Sequence, residues 1–205
     1  WVDWVFARDS GRFDGRFDDP ERQYRMLYAG TTLRGCLLEV LAHFRPDPAI
    51  EPEMADIIDD PEDTPATLAG HIGHEWARDR QIGTARATAH TCVVADSKTI
   101  AWLRTTLQVG TLDAAALKDA GARDLTQKVS RLLYEKTNAP ALEYRSRHGE
   151  EEKLWAIYER DEGALPDCLS RCETLPFEPI HPDVLDVFEL YGLTWKAPDA
   201  RRSED

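Results

Sequence analysis

Apolar and polar positions change period several times along the chain, and each change predicts an element. Tyr24-Arg-Met-Leu-Tyr28-Ala alternates with period two, which predicts a strand carrying Tyr24, Met26 and Tyr28 on one face. Thr31 or Thr32 then offers an N-cap to a helix whose Leu33, Cys36, Leu37, Val40, Leu41 and Phe44 form an apolar stripe, with Glu39 off it. Thr67 to Arg80 predicts a second helix, the apolar run Cys92-Val-Val-Ala95 a central strand, and Ser97 to Leu107 a third helix. Asp124 stands where it caps an amphipathic helix through Leu125, Val129, Leu132, Leu133 and Lys136 that ends near Pro140. The runs Ala141 to Arg147 and Lys153 to Glu159 predict a hairpin. Leu142, Tyr144 and Ser146 take one face of its first strand, and Glu143, Arg145 and Arg147 the other. A last helix starts at Pro182, where a proline suits the first turn, and stops at Gly192.

Between these elements lie stretches without period. Trp1 to Pro20 is rich in Arg, Asp, Gly and Phe and predicts an irregular binding or capping segment. Arg45 to Thr64 holds eight acidic residues, one basic residue and four prolines, too little apolar surface for a core element, so residues 45–66 predict an exposed acidic loop or insertion. The expected architecture is a mixed α/β (α+β) single domain over residues 1–195, with a central mixed sheet flanked by helices, followed by a flexible tail at 196–205.

Composition narrows the function. Twenty-five Lys and Arg against 38 Asp and Glu give a formal net charge of −13, which argues against direct nucleic-acid binding, where affinity comes from clustered basic side chains. A small anionic ligand is compatible, because a few arginines focused in a cleft outweigh a distant negative average. Cys36, Cys92, Cys168 and Cys172 are too few and too scattered for a disulfide framework, and no apolar run nears the roughly 18 residues that span a bilayer. A cytoplasmic protein with no membrane partner is the expectation. His71-Ile-Gly-His74-Glu75 lacks the spacing of a His-Glu-x-x-His zinc motif, and Cys168 and Cys172 have no second pair, so no metal is expected. Six Trp and the run Trp155-Ala-Ile-Tyr158 supply apolar surface for a core or for a homodimer interface.

Glu39 beside a packed helix stripe, Ser146 on an aromatic strand and Arg16 in a Gly/Phe-rich loop are the candidate chemical groups. Singly, each also suits an ordinary role: a solvated helix residue, a satisfied strand hydroxyl and a surface charge. In combination they acquire a context. Gly15-Arg16-Phe17-Asp18-Asp19-Pro20, then Leu27-Tyr28-Ala29, then a helix containing Glu39 resembles the first half of a RES domain. Leu142-Glu-Tyr144-Arg-Ser146-Arg-His148-Gly149, followed by Leu154-Trp155-Ala156-Ile157-Tyr158-Glu159, is similar to that family's serine-bearing strand and its successor. The likeness spans roughly Gly11 to Glu159. The family usually carries another arginine well upstream of the Gly-Arg-Phe motif, and Arg8 and Arg12 are the nearest candidates here.

The resemblance implies an ADP-ribosyltransferase-like fold and an enzyme that breaks the nicotinamide–ribose bond of NAD⁺, as the toxin of a toxin–antitoxin pair. NAD⁺ is then a consumed substrate and not a resident cofactor, with water, inorganic phosphate or a protein side chain as acceptor. A helix-turn-helix antitoxin is the implied protein partner. By that resemblance, Glu39, Ser146 and Arg16 are catalytic, and Arg16, Tyr28, Arg8, Arg12 and Ser146 bind substrate. The residue types suit the reaction. A carboxylate at Glu39 stabilises an oxocarbenium-like centre or holds ribose hydroxyls, and Arg16 engages pyrophosphate oxygens with two parallel hydrogen bonds. Tyr28 stacks on the nicotinamide and places its hydroxyl nearby, while Ser146 orients the amide or a ribose hydroxyl. No Gly-x-Ser-x-Gly elbow surrounds Ser146, and neither a dinucleotide-binding glycine fingerprint nor a P-loop is present. A non-catalytic nucleotide- or partner-binding module on the same scaffold is the competing class; only an enzyme has turnover for Glu39→Ala to abolish.

Overall fold

A computed structural model describes residues 15–46, 70–88, 90–119, 121–160 and 166–196 of the 205-residue chain. The element order is β1 (Arg25–Gly30), α1 (Leu33–Leu41) with a 3-10 turn (Ala42–Phe44), β2 (His71–Gly73), α2 (His74–Arg78), β3 (Gln81–Ala87), β4 (Cys92–Val93), α3 (Ser97–Leu107), α4 (Arg123–Lys136), β5 (Ala141–Arg145), β6 (Lys153–Glu159), β7 (Leu169–Pro176), α5 (Pro182–Tyr191) and β8 (Thr194–Lys196). The fold class is mixed α/β, as the sequence predicts. The acidic segment at 45–66, apart from residues 45 and 46, and the tail at 196–205, apart from Lys196, the last residue of β8, lie outside the described residues.

The described residues fall into two compact units, one drawn from 15–35 and 85–172, the other from 36–84 and 173–196. The first is built on a four-stranded mixed sheet of order β1-β6-β5-β4, in which β1–β6 and β6–β5 are antiparallel and β5–β4 parallel. The expected hairpin is present, with Leu142 opposite Ala156 and Tyr144 opposite Leu154. One sheet face, with Met26, Leu142, Tyr144, Leu154, Ala156 and Tyr158, packs with Leu103 of α3, with Val129 and Leu133 of α4, and with Phe17 and Tyr24. At this core's polar centre, Tyr24 Oη donates to Ser130 Oγ (2.9 Å) and Tyr158 Oη to the Ser130 carbonyl (2.8 Å), so a serine buried on α4 is fully used. The buried Arg25–Glu159 pair joins opposing residues of β1 and β6.

In the second unit α5 buries Val184, Val187, Phe188 and Tyr191. It ends at Gly192, whose φ of 65° is the left-handed cap that glycine adopts without steric cost. β2 pairs in parallel with β8, and the Tyr191 hydroxyl donates to the Leu38 carbonyl (3.0 Å).

Several sequence expectations need correction. The predicted helix from Thr67 to Arg80 is, in its described part, the strand β2 followed by the five-residue α2. Gly70 (φ 87°) and the extended Gly73 break any longer helix. Cys92–Val93 is a two-residue strand at the edge of the sheet, not a central one, because Asp96 caps α3 straight after it by accepting from the Lys98 and Thr99 amides. Asp124 lies in the first turn of α4 and does not cap it; Ala122 occupies the N-cap. On α1, Leu38 is fully buried while Val40 is 47% exposed, so the inward stripe is shifted from the predicted one.

Candidate functional site

The loop Gly15–Asp19 is held from three directions, and this fixes Arg16. From α4, Thr126 Oγ1 donates to the Arg16 carbonyl (2.6 Å), Gln127 Nε2 donates to the Gly15 carbonyl (3.2 Å), and Arg131 binds both Asp19 oxygens at 2.9 Å. Asp19 in turn accepts from the amides of Glu21 and Gln23. From β1, the Tyr28 hydroxyl accepts from the Phe17 amide (2.9 Å). Inside the loop, Asp18 Oδ2 accepts from the Gly15 amide (2.7 Å). Phe17 is fully buried in the core beneath, 5.1 Å from the Tyr144 ring.

The half-buried Arg16 guanidinium sits 5.2 Å from the Phe17 ring centre and 5.4 Å from that of Tyr144, within cation–π range of both. A planar cation laid against aromatic faces is pre-organised for bidentate contact with phosphate oxygens. Tyr28 is 39% exposed, yet its hydroxyl is turned into the loop. Burial there, reinforced by the neighbouring Asp18 carboxylate, raises that hydroxyl's pKa well above the ordinary tyrosine value. The ring, not the hydroxyl, is therefore the part of Tyr28 presented outward, which narrows the double role expected from the sequence. Asp18 is buried, and desolvation pushes its carboxyl up to about 6 against the opposing pull of the Gly15 and Met26 amides, the Tyr28 hydroxyl and Arg25.

Ser146 follows β5 directly, two residues past Tyr144, and is 1% exposed. Its Oγ accepts from the His148 amide (2.9 Å) and its own amide donates to the Glu152 carbonyl (3.1 Å), so it organises the turn between β5 and β6. Glu152 closes that turn against the start of α1, where it accepts from Thr32 Oγ1 (2.6 Å) and pairs with Arg34 (2.9 Å). Thr32 also accepts from the Gly35 amide (3.0 Å), the N-cap bond expected from the sequence.

The first unit thus brings the Arg16 loop against Tyr28 of β1 and places Ser146 directly after β5, the strand of Tyr144, which Arg16 rests against. Glu39 is a half-buried residue of α1 that falls in the second unit, and Arg8 and Arg12 lie outside the described residues. Sequence reasoning missed Asp18, Asp19, Arg131, Tyr144 and Glu152. The signal for the first two was the acid pair directly after Gly-Arg-Phe, but Arg131 reaches the Arg16 loop, and the Glu152 carboxylate the start of α1, through contacts more than a hundred residues apart in sequence.

His71 and His74 are engaged with Thr194 (2.8 Å) and with the Trp195 ring, and among the described residues no cluster of His, Cys, Asp or Glu could hold a metal ion. Nor is any described helix long and apolar enough to cross a membrane. A family model described as RES domain matches residues 2–178, while no curated protein and no solved structure matches the chain. With most of its length matched, and with the Gly15–Asp19 loop and the Ser146 strand both inside the match, the chain belongs to the RES-domain family.

Proposed function

We propose that this protein cleaves the nicotinamide–ribose bond of NAD⁺, with Arg16, Tyr28, Glu39 and Ser146 as its principal groups and Arg8 and Arg12 as further substrate contacts. Family membership over residues 2–178 carries the proposal, since it is consistent with an enzyme acting on NAD⁺. The placement of Arg16 against two aromatic rings supports it. Arg16 binds the pyrophosphate, whose two negative charges match a guanidinium lodged beside two aromatic rings. The exposed ring of Tyr28 stacks on the nicotinamide, and Ser146 donates to the carboxamide or to a ribose hydroxyl. As the C1′–N bond breaks, its electron pair leaves with neutral nicotinamide and positive charge develops at C1′, which the Glu39 carboxylate stabilises. An oxygen of water or inorganic phosphate then bonds to C1′ and loses its proton.

Phosphorolysis and hydrolysis differ only in that last step. Product analysis after incubation with NAD⁺, with and without phosphate, separates them: ADP-ribose 1″-phosphate identifies phosphate as acceptor, and ADP-ribose identifies water. Radiolabel transferred from NAD⁺ to protein would identify an ADP-ribosyltransferase instead. Action as a toxin, with a helix-turn-helix antitoxin as partner, belongs to the same proposal; co-expression with the product of the adjacent reading frame tests it by restored growth.

A further inference from the structure

Resting on the reading just given, we propose that Asp18 is a positioning residue that locks the Arg16 loop to Tyr28, and that the lock holds only while its carboxylate is ionised. Its two oxygens divide the work. Oδ2 accepts from the Gly15 amide at 2.7 Å, and Oδ1 lies 3.5 Å from the Tyr28 hydroxyl, which itself accepts from the Phe17 amide at 2.9 Å. The Met26 amide on β1 also donates to this carboxylate. Asp18 therefore ties Gly15, on one side of Arg16, to the strand that carries Tyr28, while the Tyr28 hydroxyl holds Phe17 on the other side. The packing is so close that a β-carbon on Gly15 would meet both Asp18 and Tyr28.

Such an interlock uses acceptor sites on both carboxylate oxygens, and protonation turns one of those oxygens into a donor while the other goes on accepting. Protonation gives Asp18 a donor where it now faces the Tyr28 hydroxyl, so the bonds on that side must rearrange. Burial raises the carboxyl to about 6, which puts the change within reach of mild acid. The charged and titratable groups around it are Arg25, itself paired with Glu159, together with Tyr24, Tyr28 and Tyr144, and Asp19, which is neutralised by Arg131. None of the carboxylates and basic groups among these is left to mimic Asp18, because each is committed to a pairing of its own.

The test uses the full chain, labelled for amide NMR, and the variants Asp18→Asn and Tyr28→Phe. In the wild type, the amides of Gly15, Phe17 and Met26 titrate together with a midpoint near 6, and kcat/KM for NAD⁺ cleavage falls below that midpoint by about tenfold per pH unit. Asp18→Asn loses both transitions, and its turnover at neutral pH drops by about tenfold or more, with kcat affected more than KM. Tyr28→Phe keeps the ring but removes a donor to the ionised form, so the amide midpoint moves upward. Amides that titrate as proposed in a protein that leaves NAD⁺ intact would sink the functional reading and leave the interlock standing. Amides that do not titrate in the wild type, or an Asp18→Asn enzyme that matches wild-type turnover across roughly pH 5 to 8, would overturn the proposal.

Discussion

A β-carbon at position 15 would lie 2.5 Å from Asp18 Oδ2 and 2.6 Å from the Tyr28 hydroxyl, with neither neighbour at the end of a long flexible side chain. Gly15→Ala is therefore expected to cost about 1–3 kcal/mol of stability and to reduce NAD⁺ cleavage more than the stability loss explains, as read from chemical denaturation beside kinetics. Asp18 adds a pH signature. Its folded pKa is raised, so the native state binds this proton more tightly than the unfolded chain. The resulting stabilisation is fully present below the ordinary aspartate value of 3.8 and is lost as pH rises through about 6. Across that window wild-type stability should fall relative to Asp18→Asn by about 2–3 kcal/mol; parallel stability–pH curves would show that Asp18 is not buried as described. At this scale Arg16, Tyr28 and Ser146 were legible because they sit in short ordered motifs. The inward turn of the Tyr28 hydroxyl was not, because it depends on which amide of a loop lacking secondary structure needs an acceptor.

The strands and helices that align these residues rest on a few paired polar groups inside an apolar frame. Arg25 and Glu159 face each other across β1 and β6 with almost no exposure. Removing only the carboxylate with Glu159→Ala leaves a buried unpaired guanidinium and should cost about 3–5 kcal/mol. Replacing both partners by apolar residues of similar volume should cost much less, and the comparison of the two unfolding curves tests this. β1, the β5–β6 hairpin, α3 and α5 were readable from period and caps, since each is long enough to carry a pattern of its own. The short strands β2 and β8 were not, because three residues carry no measurable period and owe their state to their partners, as β2 does to β8 more than a hundred residues later. The helix expected across Gly70 and Gly73 fails for the opposite reason: the stretch is long enough to suggest a helix, but one glycine in a left-handed and one in an extended conformation interrupt it.

For the molecule as a whole, a net charge of −13 with the Arg16 guanidinium set against the Phe17 and Tyr144 rings fits the proposed binding of a small anion in one place better than binding of a polyanion over a surface. The mixed α/β class followed from the order of predicted strands and helices. The partition of the chain into two units, each assembled from two separated segments, did not, because it is written in long-range contacts and not in any local pattern. The measurement that bears most directly on the account is nicotinamide release from NAD⁺ by the full chain beside Arg16→Ala, Glu39→Ala and Ser146→Ala, each confirmed as folded. The account predicts steady release by the wild type and losses of about a hundredfold or more in the variants. A folded wild type that releases no nicotinamide, or an Arg16→Ala and Glu39→Ala pair that release it at the wild-type rate, would contradict it.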